Sequence, residues 1–146
     1  MTAEPIPTTA SSQDSVIAFD NILHLYLSSK STVMAELDKL LVMDPEMPMA
    51  HLFRAYLLKL ASDPRLRQVS GACLKAAQQL PMNAREQLHS AALATWFDGD
   101  STKTLGILEQ LLEQYPQDIL ALKIAHHLHF YSGDAVQMQR SIARAA

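Results

Sequence analysis

Residues that stop helices recur at a near-constant interval along the 146-residue chain. Pro45, Pro81 and Pro116 are separated by 36 and 35 residues, and the turns Gly99-Asp100 and Gly133-Asp134 by 34. From Gly99 to Pro116 is 17 residues, half of that interval. Between these stops apolar residues recur at helical spacing, with no convincing alternation at period two, so the pattern predicts an all-α chain without a sheet. The first helix spans roughly Asp14 to Ser28, with Val16, Ile17, Ile22, Leu23, Tyr26 and Leu27 on its apolar side. Ser31 can cap a second helix that stops at Asp44-Pro45, and Asp63-Pro64 reads as the cap and first residue of a fourth. Asn83 followed by Glu86 is a capping-box pattern opening helix five. Gly99 suits the left-handed position after that helix, and Asp100 or Ser101 the cap of helix six. Helix seven runs from about Asp118 to Tyr131, and helix eight fills the remainder.

A period near 34 residues, built from two helices and a short turn, is the signature of a tetratricopeptide array. One such pair cannot bury its apolar face alone, whereas a stack makes the core continuous. The expected fold is therefore a right-handed superhelical array of about four hairpins, at about 13–45, 46–81, 82–116 and 117–146, behind a flexible tail at 1–12. The second hairpin lacks the Gly-Asp turn and uses Ser62-Asp63-Pro64-Arg65 instead. A plain helical bundle could produce similar proline stops.

Composition narrows the class. Hydrophobic residues make up 49% and charged residues 18%, enough apolar content to bury a core. A net charge of −3 argues against a nucleic-acid partner. The first twelve residues hold no Lys or Arg, and no apolar run reaches the roughly 18 residues of a membrane span. The expectation is a cytoplasmic protein outside the membrane. The single cysteine, Cys73, cannot form an internal disulfide and reads as a buried inert thiol.

The segment from Arg85 to Ala146 resembles the tetratricopeptide repeat protein 38 family. The resemblance is carried by Arg85-Glu86-Gln87-Leu88-His89, Gly99-Asp100, Leu111 to Pro116, Asp118 with Leu120-Ala121-Leu122-Lys123, His126, Phe130-Tyr131, Gln137-Met138 and Ser141-Ile142-Ala143-Arg144. Upstream the fit is looser. Members are longer, so this chain would correspond to their N-terminal part. They also tend to have Asp after the His of helix seven, where this chain has His127. The resemblance implies a helical repeat protein with no well-established catalytic activity.

Several residues invite a chemical reading. His126 and His129 share a helix face three positions apart, with His89 a conceivable third ligand. Packing between helices is the plainer account, because neither an HExxH pattern nor a Cys pair is present to complete a metal site. GxSxG, Walker and GxGxxG patterns are also absent. Gly71 and Gly106, isolated within helices, suggest close helix packing. Arg65, Arg67, Arg140 and Arg144 read as solvated charges.

In this repeat class the first helix of each hairpin lines a concave groove. That phasing selects Arg54, Glu86, His89, Trp96, Lys123, His127 and Tyr131 as the partner-binding surface, a mixture suited to a peptide. The carboxylate clamp of some tetratricopeptide domains is rejected, since Leu58 and Leu93 occupy its Asn-type places. Helix eight carries an apolar stripe including Met138 and Ile142 with no polar cap after it, a candidate for self-association into a homodimer. The expected function is a non-enzymatic scaffold that binds a protein or peptide, with no catalytic residues, metal or cofactor. The rivals are a self-associating structural fragment and a metal or enzymatic role centred on His89, His126, His127 and His129.

Overall fold

The structure, a computed structural model, describes residues 8–27, 32–61 and 63–132. Their regular elements are all helices, with no strand among the described residues. The helices are α1 (Gln13–Leu27), α2 (Val33–Met43), α3 (Pro48–Leu60), α4 (Arg67–Gln78), α5 (Ala84–Phe97), α6 (Ser101–Gln114) and α7 (Ile119–Ser132). The predicted helix eight, Gly133, Ser31 and Ser62 lie outside the described residues, as do Met138 and Ile142. Two compact units divide the chain, 8–86 and 87–132 among the described residues.

In the unit 8–86, α1 packs on α2, α2 on α3, and α3 most extensively on α4. Phe53 of α3 is fully buried and receives the rings of Phe19 and Tyr26 edge-on, at centroid distances of 5.7 and 5.4 Å. Leu37, Leu40, Met47, Met49, Leu52, Tyr56 and Leu74 complete this core. The apolar side assigned to α1 needs one correction. Phe19 is buried, whereas Ile17 is 50% exposed, because the buried stripe follows Ser15, Phe19 and Ile22. The fourth helix also starts later than predicted. Asp63 caps a 3₁₀ turn, Pro64–Leu66, by accepting the Arg65 N–H, and α4 follows it.

In the unit 87–132, α6 packs on α7 around Leu108, Leu111, Leu112, Leu120, Ala121 and Ile124. The Thr95 and Thr104 hydroxyls tie α5 to α6 at 2.7 Å. Gly99, at φ +82°, closes α5 as the spacing predicted. Its N–H reaches the Trp96 carbonyl and the Asp100 N–H reaches that of Thr95, the paired bonds of a Schellman turn. Asp100 then caps α6 through the Lys103 N–H.

One corner is built twice. Asp44 ends α2 at φ −141°, ψ 80°, its N–H on the Leu40 carbonyl. Tyr115 ends α6 at φ −132°, ψ 75°, its N–H on the Leu111 carbonyl. Each precedes a proline, Pro45 and Pro116, 71 positions apart. Three residues on, Met47 and Asp118 donate their N–H back to the carbonyls of Asp44 and Tyr115. The flanking buried residues also correspond at this offset: Leu37 with Leu108, Leu40 with Leu111, Met49 with Leu120, Ala50 with Ala121 and Phe53 with Ile124. The physical reason is shared. Proline bars its predecessor from helix, and the same apolar spacing on both sides brings the two helices together.

Within the tail expected at 1–12, residues 8–12 make defined contacts. Thr9 donates its N–H and hydroxyl to the Glu86 carboxylate, both at 2.6 Å. Ser11 donates the same two groups to Asp44, both at 2.8 Å. Residues 1–7 lie outside the described residues.

Candidate functional site

The capping box of α5 forms as its sequence pattern predicts. Glu86 donates its N–H to the Asn83 side chain at 2.9 Å and accepts the Asn83 N–H at 3.0 Å. The same carboxylate accepts Thr9, so Glu86 is fully buried rather than presented to a groove. Arg85 beside it is also buried and donates to the Thr8 hydroxyl. Asp44 is the second buried carboxylate of this unit, at 1% exposure. Burial works against its charge, but bonds from Ser11, Ser15 and the Glu46 backbone outweigh that and hold its pKa below the usual carboxylate range.

Arg54, on α3, bridges two neighbours. Its Nε donates to Asp38 of α2 at 2.9 Å and its Nη1 to the Cys73 sulfur of α4 at 3.0 Å. Burial opposes its charge, yet these two partners raise its pKa on balance. Cys73 is buried as expected, with a guanidinium against its sulfur that its local sequence gave no sign of. Arg54 is 25% exposed at its side chain, so a partner could reach only part of it.

In the other unit, His89 and Asp118 form a fully enclosed polar pair. Nε2 of His89 lies 2.8 Å from Oδ2 of Asp118, with side chains 0% and 1% exposed. Asp118 Oδ1 also accepts the Ala121 N–H, so one carboxylate caps the start of α7 and holds an imidazole of α5. His89 therefore cannot line an open groove, because its ring is spent on joining two helices. Near the end of α5, Trp96 sits with its ring centroid 6.1 Å from that of His127, tilted by 53°. Both are half-buried, and Lys123, one turn before His127 on α7, is exposed. Burial lowers the His127 pKa. His126 is lowered too, by burial first and then by His129 and Lys123.

Of the seven residues selected for the groove, the structure thus withdraws Glu86 and His89 into the interior and engages Arg54 internally. In the unit 87–132 it brings Trp96, His127 and Lys123 to one accessible region. Tyr131 lies on α7, its side chain outside the described residues. Among the described residues, no three His, Cys, Asp or Glu side chains gather where they could hold a metal ion. Nor is any helix among them long and apolar enough to cross a membrane. Sequence reasoning missed Asp44 as a buried acceptor and Asp118 as the partner of His89. The local signals were Asp44 at the end of α2, Asp118 directly before α7, and the Ser and Thr residues of the tail. No family model and no solved structure matches the chain.

Proposed function

We propose that the chain is a non-enzymatic scaffold of tetratricopeptide-like helix hairpins, in the superhelical arrangement its periodicity predicts, that binds a protein or peptide. The corner repeated at Asp44-Pro45 and Tyr115-Pro116 supports the repeat reading. One observation carries the binding role. Trp96 and His127 meet on α5 and α7, the leading helices of two predicted hairpins, and stay half-exposed beside the charged Lys123. An aromatic ring that is packed on one side and open on the other supplies contact area at small ordering cost, and a cation beside it adds orientation. The natural partner is an extended or helical segment with an apolar anchor and a carboxylate.

The test is capture of a partner from cell lysate by the immobilised full chain. Trp96→Ala combined with Lys123→Glu abolishes capture on this reading, with far-UV circular dichroism unchanged. Capture that persists in the folded double variant contradicts it.

A further inference from the structure

Residues 8–12 are held in a way that resembles a bound peptide more than a packed terminus. Two fixed carboxylates, Asp44 after α2 and Glu86 in the first turn of α5, each accept two donors from one residue of the segment. Each residue supplies a backbone N–H and a hydroxyl, and the two residues, Thr9 and Ser11, are two positions apart. Ala10 alone separates the two, and the backbone bends at Ser11 and Ser12 before α1 begins. The hold is polar: Thr8, Thr9 and Ala10 are half-buried, Ser11 and Ser12 exposed, and no large apolar side chain from 8–12 enters the core. The carboxylates themselves are buried beneath it, at 1% and 0% exposure. Arg85 adds a bond to the Thr8 hydroxyl, and the Ser12 hydroxyl accepts the Ser15 N–H at 3.3 Å where the segment enters α1.

We infer that Asp44 and Glu86 form a docking track for a peptide segment with Ser or Thr at two positions separated by one residue, and that residues 8–12 occupy this track as a displaceable internal ligand. The carboxylates select for a segment that offers N–H and O–H together. An acidic or phosphorylated residue at either position would be repelled. The covalently attached segment holds the track at a high effective concentration, so an outside peptide competes only when the internal one is weakened. This site uses residues 8–86 alone and none of the Trp96 surface, so either proposal can fail without the other.

The experiment titrates the full chain with a synthetic peptide of residues 8–13, followed by calorimetry. In the variant Thr9→Ala with Ser11→Ala, the internal segment loses both hydroxyls, and the peptide binds at least ten-fold tighter than it binds the unaltered chain. Adding Asp44→Asn and Glu86→Gln, or phosphorylating the peptide at both hydroxyls, removes that gain. A folded Thr9→Ala/Ser11→Ala chain that binds the peptide no better than the unaltered chain overturns the inference. If that variant does not fold, amide hydrogen exchange on the unaltered chain answers the same question. Millimolar peptide should then accelerate exchange at Thr9 and Ser11, and unchanged exchange rates overturn the inference.

Discussion

Asp118 does two jobs with one side chain, and its removal should be felt twice. Asp118→Ala takes away the acceptor for the Ala121 N–H and leaves the buried Nε2 of His89 facing an apolar methyl. Losing a helix cap costs about 1 kcal/mol, and orphaning a buried polar atom about 1–3 kcal/mol. Urea unfolding of Asp118→Ala should therefore show a loss of roughly 2–4 kcal/mol. A loss under about 0.5 kcal/mol, the scale of an ordinary surface substitution, would show that the pair does not hold α5 to α7. Titration is also legible at single residues. His126 and His127 have pKa values below the ordinary imidazole value of about 6.5, so the folded state favours their neutral forms. Their contribution is complete above that value and is lost as pH falls below it. Asp44 has a lowered carboxylate pKa, so its contribution is present above about pH 4 and is lost as pH falls through the folded value. Thermal unfolding should show a first decline in Tm below about pH 6.5, reduced by His127→Gln, and a second below about pH 4, reduced by Ser11→Ala. A Tm that stays flat from pH 7 to pH 5 would contradict the first assignment.

At the scale of elements, three glycines give a sharp contrast. Gly71 and Gly106 sit inside helices, and a methyl group built on either meets nothing within 4 Å. The expectation that they allow close helix packing is therefore corrected, since each leaves room for a larger residue. Gly71→Ala and Gly106→Ala should each stabilise the chain by about 0.5–1 kcal/mol, because alanine restricts the unfolded chain and favours helix. Gly99 also has open space around it, but its φ of +82° makes any side chain strained. Gly99→Ala should cost about 1 kcal/mol. Chemical denaturation of the three single variants tests both signs, and a stabilising Gly99→Ala would show that the α5–α6 turn is not of this kind. These helix ends were legible in the sequence because the determinants are local. A proline disfavours helix in its predecessor, Asn83 and Glu86 are three apart, and Asp100 directly precedes the helix it caps. The α1 stripe was misread at Ile17 and Phe19 because adjacent apolar residues fit two overlapping helix faces, and only the packing of Phe53 decides between them.

For the molecule as a whole, the sequence disclosed the helical class and the rhythm of its stops, but not which polar residues turn inward. Glu86 and His89 occupy the helix that should line a groove, and periodicity places them there correctly. Their burial depends on Thr9, 77 residues away, and on Asp118, 29 residues away, and no local pattern announces such partners. Helical spacing alone puts Lys123 and His127 on one face of α7, whereas the contact of Trp96 with His127 depends on how α5 meets α7. The most direct test of the repeat concerns the corner that occurs twice. Backbone assignment of the full chain by nuclear magnetic resonance reports the conformation of Asp44 and Tyr115, each of which precedes a proline and so carries the same proline correction. The predicted result is helical Cα shifts through α2, α3, α6 and α7, interrupted at both residues by non-helical shifts of matching sign and size. Helical shifts running through either residue, or a break at one corner only, would contradict a repeated hairpin.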